Sequence, residues 1–129
     1  MDIIKLCLNF FPKLQAIYLF GSYATENEWP NSDVDIALLL PYDCTETLYM
    51  TALHQQLENL YQKDVDLINL RQVSTVFRKE IIMAERRIYC ADQYKTDEFE
   101  MLTLSFYQKL NEERREILQE FLRTKVAYE

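Results

Sequence analysis

Glycine is almost missing from this sequence. A single glycine, Gly21, stands among the 129 residues, whereas average usage is about 7%. Turns elsewhere must therefore be built from Pro, Asn, Asp and Ser. The one glycine follows a strand-like apolar run. We therefore predict that the chain needs a positive φ there, or a close approach to a ligand.

Cysteine and histidine are also scarce. Cys7, Cys44 and Cys90 are odd in number and far apart, without a Cys-x-x-Cys spacing. This pattern favours buried or half-buried thiols in a reducing compartment over a disulfide or a zinc site. The only histidine, His54, lies among polar residues of a predicted helix, and we expect it at the surface without a ligand or catalytic role.

Long apolar runs are absent as well. No run reaches the length that a membrane span requires. The first eleven residues contain the acidic Asp2 and no basic segment before an apolar one, so we expect no secretory signal. These features predict a cytoplasmic protein that does not contact a membrane.

Positive charge is in deficit, with a formal net charge of −7. Nucleic-acid backbones require clustered Lys and Arg, so direct nucleic-acid binding is disfavoured. An acidic surface is compatible with docking onto a basic protein partner. The length of 129 residues with 49% apolar side chains predicts one globular domain.

Apolar periodicity predicts an α/β (α+β) domain with a mixed sheet. Helices are expected over 3–10, 45–61, 73–86 and 97–125, and strands over 15–20, 34–40, 65–70 and 87–90. In the second helix the predicted core stripe is Tyr49, Leu53, Leu57 and Leu60. We predict a core over residues 1–95, with residues 96–129 as a helical extension of the same domain.

The last predicted helix carries more apolar positions than one buried face needs. Ile117, Leu118, Phe121 and Leu122 follow a highly charged middle. We therefore predict that this helix packs on the core up to about Leu110, and that its remainder is shared with a partner.

The residues that indicate chemistry lie between the first two strands. Gly21-Ser22 is separated by ten residues from Asp33-Val34-Asp35. Side chains two apart on a strand point the same way, so Asp33 and Asp35 project together from the start of the second strand. Paired carboxylates on an apolar strand repel each other and cost desolvation. A bound Mg²⁺, which prefers oxygen ligands, would remove this cost.

A third carboxylate would complete a two-metal phosphoryl-transfer site. The candidate is Asp66 on the third strand, and the alternative is Asp64 at the entrance of the same strand. Gly21 and Ser22 supply backbone N–H groups and a hydroxyl to which phosphate oxygens bind.

With these motifs the sequence resembles the nucleotidyltransferase superfamily that includes DNA polymerase beta and the kanamycin nucleotidyltransferases. Its signature is Gly-Ser, about ten residues, then Asp-x-Asp, which this chain matches in full. Over most of its length the chain is similar to the MntA-type minimal nucleotidyltransferase antitoxins. Asp64-Val65-Asp66-Leu67 and Ser105-Phe106-Tyr107-Gln108 are part of that similarity.

The resemblance implies a nucleotidyltransferase fold with a mixed sheet flanked by helices. It also implies that Asp33, Asp35 and Asp66 are the catalytic, Mg²⁺-binding triad and that Gly21 and Ser22 bind the triphosphate of ATP. Members of this family transfer AMP to a tyrosine of a partner HEPN-domain toxin called HepT, a ribonuclease, and thereby neutralise it.

One departure from the family pattern bears on the activity. Thr25 and Glu26 stand where relatives often have Arg-Gly. The triphosphate charge would then be met by the metal and by other cations, with Arg71, Arg78 and Lys79 as candidates. Two alternatives stay open: an antitoxin that acts by binding only, and a small-molecule (aminoglycoside-like) nucleotidyltransferase, for which the chain lacks the usual second domain.

Overall fold

The computed structural model describes residues 2–21, 34–42 and 47–127. Within them the chain forms, in order, α1 (Asp2–Phe10), β1 (Ala16–Phe20), β2 (Val34–Leu39), α2 (Thr47–Tyr61), β3 (Val65–Asn69), α3 (Thr75–Met83), β4 (Arg87–Cys90) and α4 (Gln93–Ala127). The predicted α/β (α+β) class, with a mixed sheet flanked by helices and a long last helix, is confirmed.

The sheet has the strand order β3-β2-β1-β4. β1 pairs antiparallel with β2 and with β4, whereas β2 and β3 are parallel. One end of the sheet therefore holds the start of β2, the start of β3 and the end of β1.

Both faces of the sheet are covered. On one face α1 and α2 pack through Cys7, Leu53 and Leu57 against Ile36 and Leu38 of β2. On the other face the core cluster contains Ala16, Tyr18, Ala37, Leu39, Leu70 and Ile81, with Phe20 and Phe99 packed against it. The alternation of neighbouring β2 residues between the two clusters follows from the two-residue period of a strand.

The second helix departs from the predicted core stripe. Leu53 and Leu57 are fully buried, but Tyr49 and Leu60 are 51% and 42% exposed. Tyr49 meets the rings of Phe10 and Phe11 edge-on, at centroid distances of 6.5 and 6.3 Å. The two outer positions of the predicted stripe are thus only half covered, whereas the two central leucines reach the core.

The last helix begins earlier than predicted. We expected its start at Asp97, but Asp92 provides the cap, because its Oδ1 accepts a hydrogen bond of 3.0 Å from the Lys95 N–H. The third helix is shorter than predicted. It starts after Ser74, whose Oγ accepts from the Phe77 N–H at 3.2 Å. It ends before Glu85, which takes a φ of 56°.

None of the helices in the described part of the chain is long and apolar enough to span a bilayer.

Candidate active site

The single glycine lies against a carboxylate. Gly21 follows β1 with a φ of +75°, and Phe20, the last residue of β1, is in register with Asp35 of β2. A Cβ on Gly21 would lie 2.0 Å from Oδ2 and 3.0 Å from Cγ of Asp35. The chain therefore needs glycine here for two reasons at once, the left-handed backbone and the closeness of the Asp35 side chain.

Two of the three predicted carboxylates are brought together. Asp35 and Asp66 are partners in the parallel pairing of β2 and β3, so their side chains leave the sheet on the same face, from strands about 4.8 Å apart. Asp35 is partly buried and Asp66 is exposed. Asp64 also is exposed, and its backbone oxygen accepts the first bond of the pairing, from the Val34 N–H at 3.0 Å.

Ser22, Asp33, Thr25 and Glu26 lie outside the described residues. The predicted roles of Ser22 in phosphate binding and of Asp33 in metal binding therefore stay predictions. Among the described residues, no three His, Cys, Asp or Glu side chains come close enough together to hold a metal ion.

The described part of the site fits a hard divalent cation. Two carboxylates on neighbouring strands supply oxygen ligands of the kind Mg²⁺ prefers. The position that a Cβ of Gly21 would take is occupied by the Asp35 carboxylate. This end of the sheet therefore holds negative charge directly against the Gly21 backbone.

The sequence did not predict that a positively charged side chain, Arg86, lies at this end of the sheet. The Nη1 of Arg86 donates to the backbone oxygen of Gly21 at 2.7 Å, and the Leu19 N–H donates to the Arg86 oxygen at 3.0 Å. Arg86 reaches Gly21 because β4 pairs antiparallel with β1. That pairing joins positions 65 residues apart, and no local pattern in the sequence indicates it.

Arg71 and Arg78, expected as candidates to meet triphosphate charge, are engaged at the other end of the sheet. Arg71 follows β3, where its Nε donates to the Leu40 oxygen at 2.6 Å and its Nη2 to Gln15 Oε1 at 3.1 Å. The Nε of Arg78 donates to the Leu70 oxygen at 2.7 Å. The structure does not bring either guanidinium to Asp35 and Asp66.

Lys79, the third candidate, lies on α3. Its Nζ is 3.2 Å from Glu80 Oε1 and 4.9 Å from the centroid of the Tyr107 ring of α4. The contact with Tyr107 connects α3 and α4.

The described cysteines are free thiols, as predicted. Cys7 is fully buried and Cys90 is half buried, while Cys44 lies outside the described residues. Burial raises the pKa of the Cys7 thiol to about 12, so this side chain remains protonated and acts as a small apolar core residue.

The family comparison agrees with the geometry. A family model described as "Polymerase beta, Nucleotidyltransferase" matches residues 2–94. The protein adenylyltransferase MntA of Shewanella oneidensis is 37% identical over 125 residues, which cover 97% of this chain and 88% of that protein.

Solved structures extend the similarity to the fold. A toxin–antitoxin crystal structure with AMP-PNP matches with 37% identity and a TM-score of 0.79, covering 94% of this chain and 96% of that one. The complex of a tri-AMPylated Shewanella oneidensis HEPN toxin with an MNT antitoxin matches with 36% identity and a TM-score of 0.74, covering 94% and 93%.

Proposed function

Because the chain belongs to the polymerase beta-type nucleotidyltransferase family, we propose that it is a protein adenylyltransferase that serves as the antitoxin of a HEPN-domain toxin. It moves AMP from ATP to a tyrosine of that toxin and so neutralises it. The 37% identity to MntA over 97% of the chain supports both the reaction and the partner. So does the likeness to a complex with an AMPylated HEPN toxin.

The observation that carries the proposal is the in-register pair Asp35 and Asp66 beside Gly21. A fold kept only for binding would not require two like charges on neighbouring strands, which repel each other. It would not require a glycine that leaves room for one of them either. This arrangement is what phosphoryl transfer to a positioned hydroxyl requires.

Asp35 and Asp66, together with Asp33, would hold Mg²⁺, and a two-metal site follows if all three take part. Bound there, Mg²⁺ would lower the pKa of the attacking hydroxyl and neutralise charge on the pyrophosphate that leaves. Gly21 and Ser22 would bind the triphosphate through backbone N–H groups and the serine hydroxyl. Asp66 either ligates the ion or accepts the proton of the hydroxyl, and both roles place its carboxylate at the same edge.

Arg86 compensates, in this proposal, for the arginine that Thr25 replaces. Its guanidinium is anchored on the carbonyl of Gly21, so it brings a positive charge to the turn at which the triphosphate would bind. An arginine can hold a carbonyl and a phosphate together because its five N–H donors are arranged in a planar fork.

The second half of α4 is the surface we assign to the toxin. All residues from Glu112 to Thr124 are exposed, and among them Ile117, Leu118, Phe121 and Leu122 are 51–69% exposed. An apolar stripe of this size on a helix that leaves the core is typical of a protein interface. The free thiols Cys7 and Cys90 fit a reducing compartment, and we place the complex in the cytoplasm.

The decisive experiment is AMP transfer in a reconstituted complex. The purified protein is mixed with the HEPN toxin, ATP and Mg²⁺, and intact masses are recorded. We expect AMP additions on the toxin with the native protein and with Asp64→Asn. We expect loss of transfer by at least roughly 100-fold with Asp35→Asn or Asp66→Asn.

Asp64→Asn is the matched control, because it removes an exposed carboxylate two residues from Asp66 on the same segment. If the native protein adds no AMP but still binds and silences the toxin, the antitoxin acts by binding only. Equal loss of transfer in Asp64→Asn and Asp66→Asn would contradict the assignment of Asp66.

A further inference from the structure

Two side chains of α2 converge on one residue of β3. The Nε2–H of His54 donates to the backbone oxygen of Val65 at 2.6 Å, and the Val65 N–H donates to Glu58 Oε2 at 3.2 Å. The same Nε2 lies 3.7 Å from Glu58 Oε2. His54 and Glu58 are one helical turn apart, so both face the strand, and we call this pair the α2 clip.

The clip acts on the open side of the sheet. β3 is an edge strand with β2 as its neighbour, and consecutive residues of a strand direct their backbone groups to alternate sides. The Asp64 oxygen accepts from Val34 of β2, so the N–H and C=O of Val65 point outward. In the described chain, both side-chain hydrogen bonds from α2 to β3 end on Val65.

The outward carbonyl belongs to the peptide that joins Val65 to Asp66. Holding this peptide on its outer side, while β2 holds the strand on its inner side, fixes the direction in which the Asp66 side chain leaves the backbone. Asp66 is exposed, so packing contributes little to its orientation. A ligand or base in a metal site must be held within about 0.5 Å of its working position.

We propose that His54 and Glu58 are positioning residues, which hold Asp66 opposite Asp35 for metal binding by fixing the Val65 peptide. The inference rests on the proposed role of Asp66 in holding Mg²⁺. The competing reading is that the clip only shields an edge strand from water and from other chains. The two readings differ in what they predict for the affinity of the metal.

The test measures metal binding rather than turnover. Mn²⁺ serves as the probe, and its dissociation constant is obtained from the spin-resonance signal of the free ion in the presence of a non-hydrolysable ATP analogue. We expect His54→Leu and Glu58→Leu to weaken Mn²⁺ binding about 10-fold, as the loss of outer-shell support does at metal sites. His54→Gln and Glu58→Gln keep a donor and an acceptor, and their affinities should stay close to native.

Gln55→Leu is the matched control, because Gln55 is an exposed residue of the same helix turn and should leave the affinity unchanged. Melting temperatures are recorded without metal in parallel. A lower melting temperature with unchanged Mn²⁺ affinity in both leucine variants would overturn the proposal and leave edge protection as the role. If the leucine variants do not fold, His54→Asn and Glu58→Asp, which are polar but shorter, should show the same loss of affinity.

Asp66→Asn separates this inference from the proposed function. If it leaves Mn²⁺ affinity unchanged, the metal role of Asp66 fails and the positioning role fails with it. If Asp66→Asn weakens Mn²⁺ binding but the clip variants do not, the positioning role alone is overturned.

Discussion

Three described residues have a positive φ, and only one of them is a glycine. Gln62 and Glu85, which follow α2 and α3, adopt φ angles of 54° and 56°, where glycine is usual after a helix. The chain tolerates the strain at these two positions. Gly21 is different, because a side chain there would overlap the Asp35 carboxylate. The one glycine is thus kept where any side chain would displace the Asp35 carboxylate and also strain the backbone.

Gly21→Ala should disable the site. The new Cβ would displace the Asp35 carboxylate, and a shift of about 1 Å at a catalytic group costs roughly 100-fold in rate. AMP transfer measured by intact mass should fall by at least that factor. Gly21→Ala should also lower the free energy of unfolding. The double variant Gly21→Ala/Asp35→Ala should recover part of that loss without recovering AMP transfer. A single variant with native transfer would contradict the close contact.

Glu85→Gly should stabilise the protein. A non-glycine residue in the left-handed region costs roughly 1–2 kcal/mol, part of which is offset by the greater freedom of glycine in the unfolded chain. We expect the free energy of unfolding in urea to rise by about 1 kcal/mol. Glu85→Ala, which keeps the strain, serves as the control and should change stability little.

The elements of the fold are tied together by arginines at the end of the sheet remote from Asp35 and Asp66. The groups that Arg71 contacts come from several elements. Its guanidinium carbon lies 5.2 Å from the ring centroid of Phe99, a residue of α4. Arg78 lies 5.7 Å from the same centroid. Burial and the neighbouring Arg78 lower the pKa of Arg71. These contacts indicate that Arg71 and Arg78 stabilise the joint between β3, α3 and α4.

Arg71→Gln should therefore affect stability, whereas Arg86→Gln should affect the affinity for ATP. Arg71→Gln removes hydrogen bonds from a charged group and should lower the unfolding free energy by roughly 2 kcal/mol, with the affinity for an ATP analogue unchanged. Arg86→Gln removes the charge beside Gly21 and should weaken that affinity about 10-fold. Calorimetric titration and urea unfolding of both variants give the comparison. A weaker ATP affinity in Arg71→Gln alone would contradict the assignment.

Strand and helix boundaries show where sequence patterns are sufficient. The short last strand was predicted at Arg87–Cys90 and is found there, because its apolar alternation and flanking helices leave few choices. The start of α4 was predicted four residues late, because Asp92 and Asp97 are equally good helix caps by type. The proposed division of the chain at residue 95 stays a prediction.

The whole molecule is a small enzyme core from which a helix extends. The boundary in α4 lies near Leu110 and Asn111, which are partly buried, whereas Glu112 and the residues that follow are exposed. The first half of α4 packs on α3 and the sheet, as predicted. That the second half contacts the toxin stays a prediction.

Phe121→Asp should weaken toxin binding while leaving the fold and ATP binding intact. Phe121 is 61% exposed, so the substitution should change unfolding free energy by no more than about 0.5 kcal/mol and leave ATP binding intact. Loss of an apolar interface residue should weaken the complex at least 10-fold, which corresponds to about 1.4 kcal/mol. Glu113→Gln on the same segment is the control. Native toxin affinity in Phe121→Asp would place the interface elsewhere.

The sequence by itself determined the class of this protein, a nucleotidyltransferase, and predicted which residues carry out its chemistry. Gly21-Ser22, Asp33, Asp35 and Asp66 are recognisable because strand periodicity and motif spacing are local properties. The tertiary structure decided which residues are neighbours. Parallel pairing places Asp66 opposite Asp35, and antiparallel pairing of β1 and β4 places Arg86 at Gly21. The packing of α2 against β3 places His54 at Val65. These contacts join residues distant in the chain. They depend on strand order and register, which no local pattern specifies.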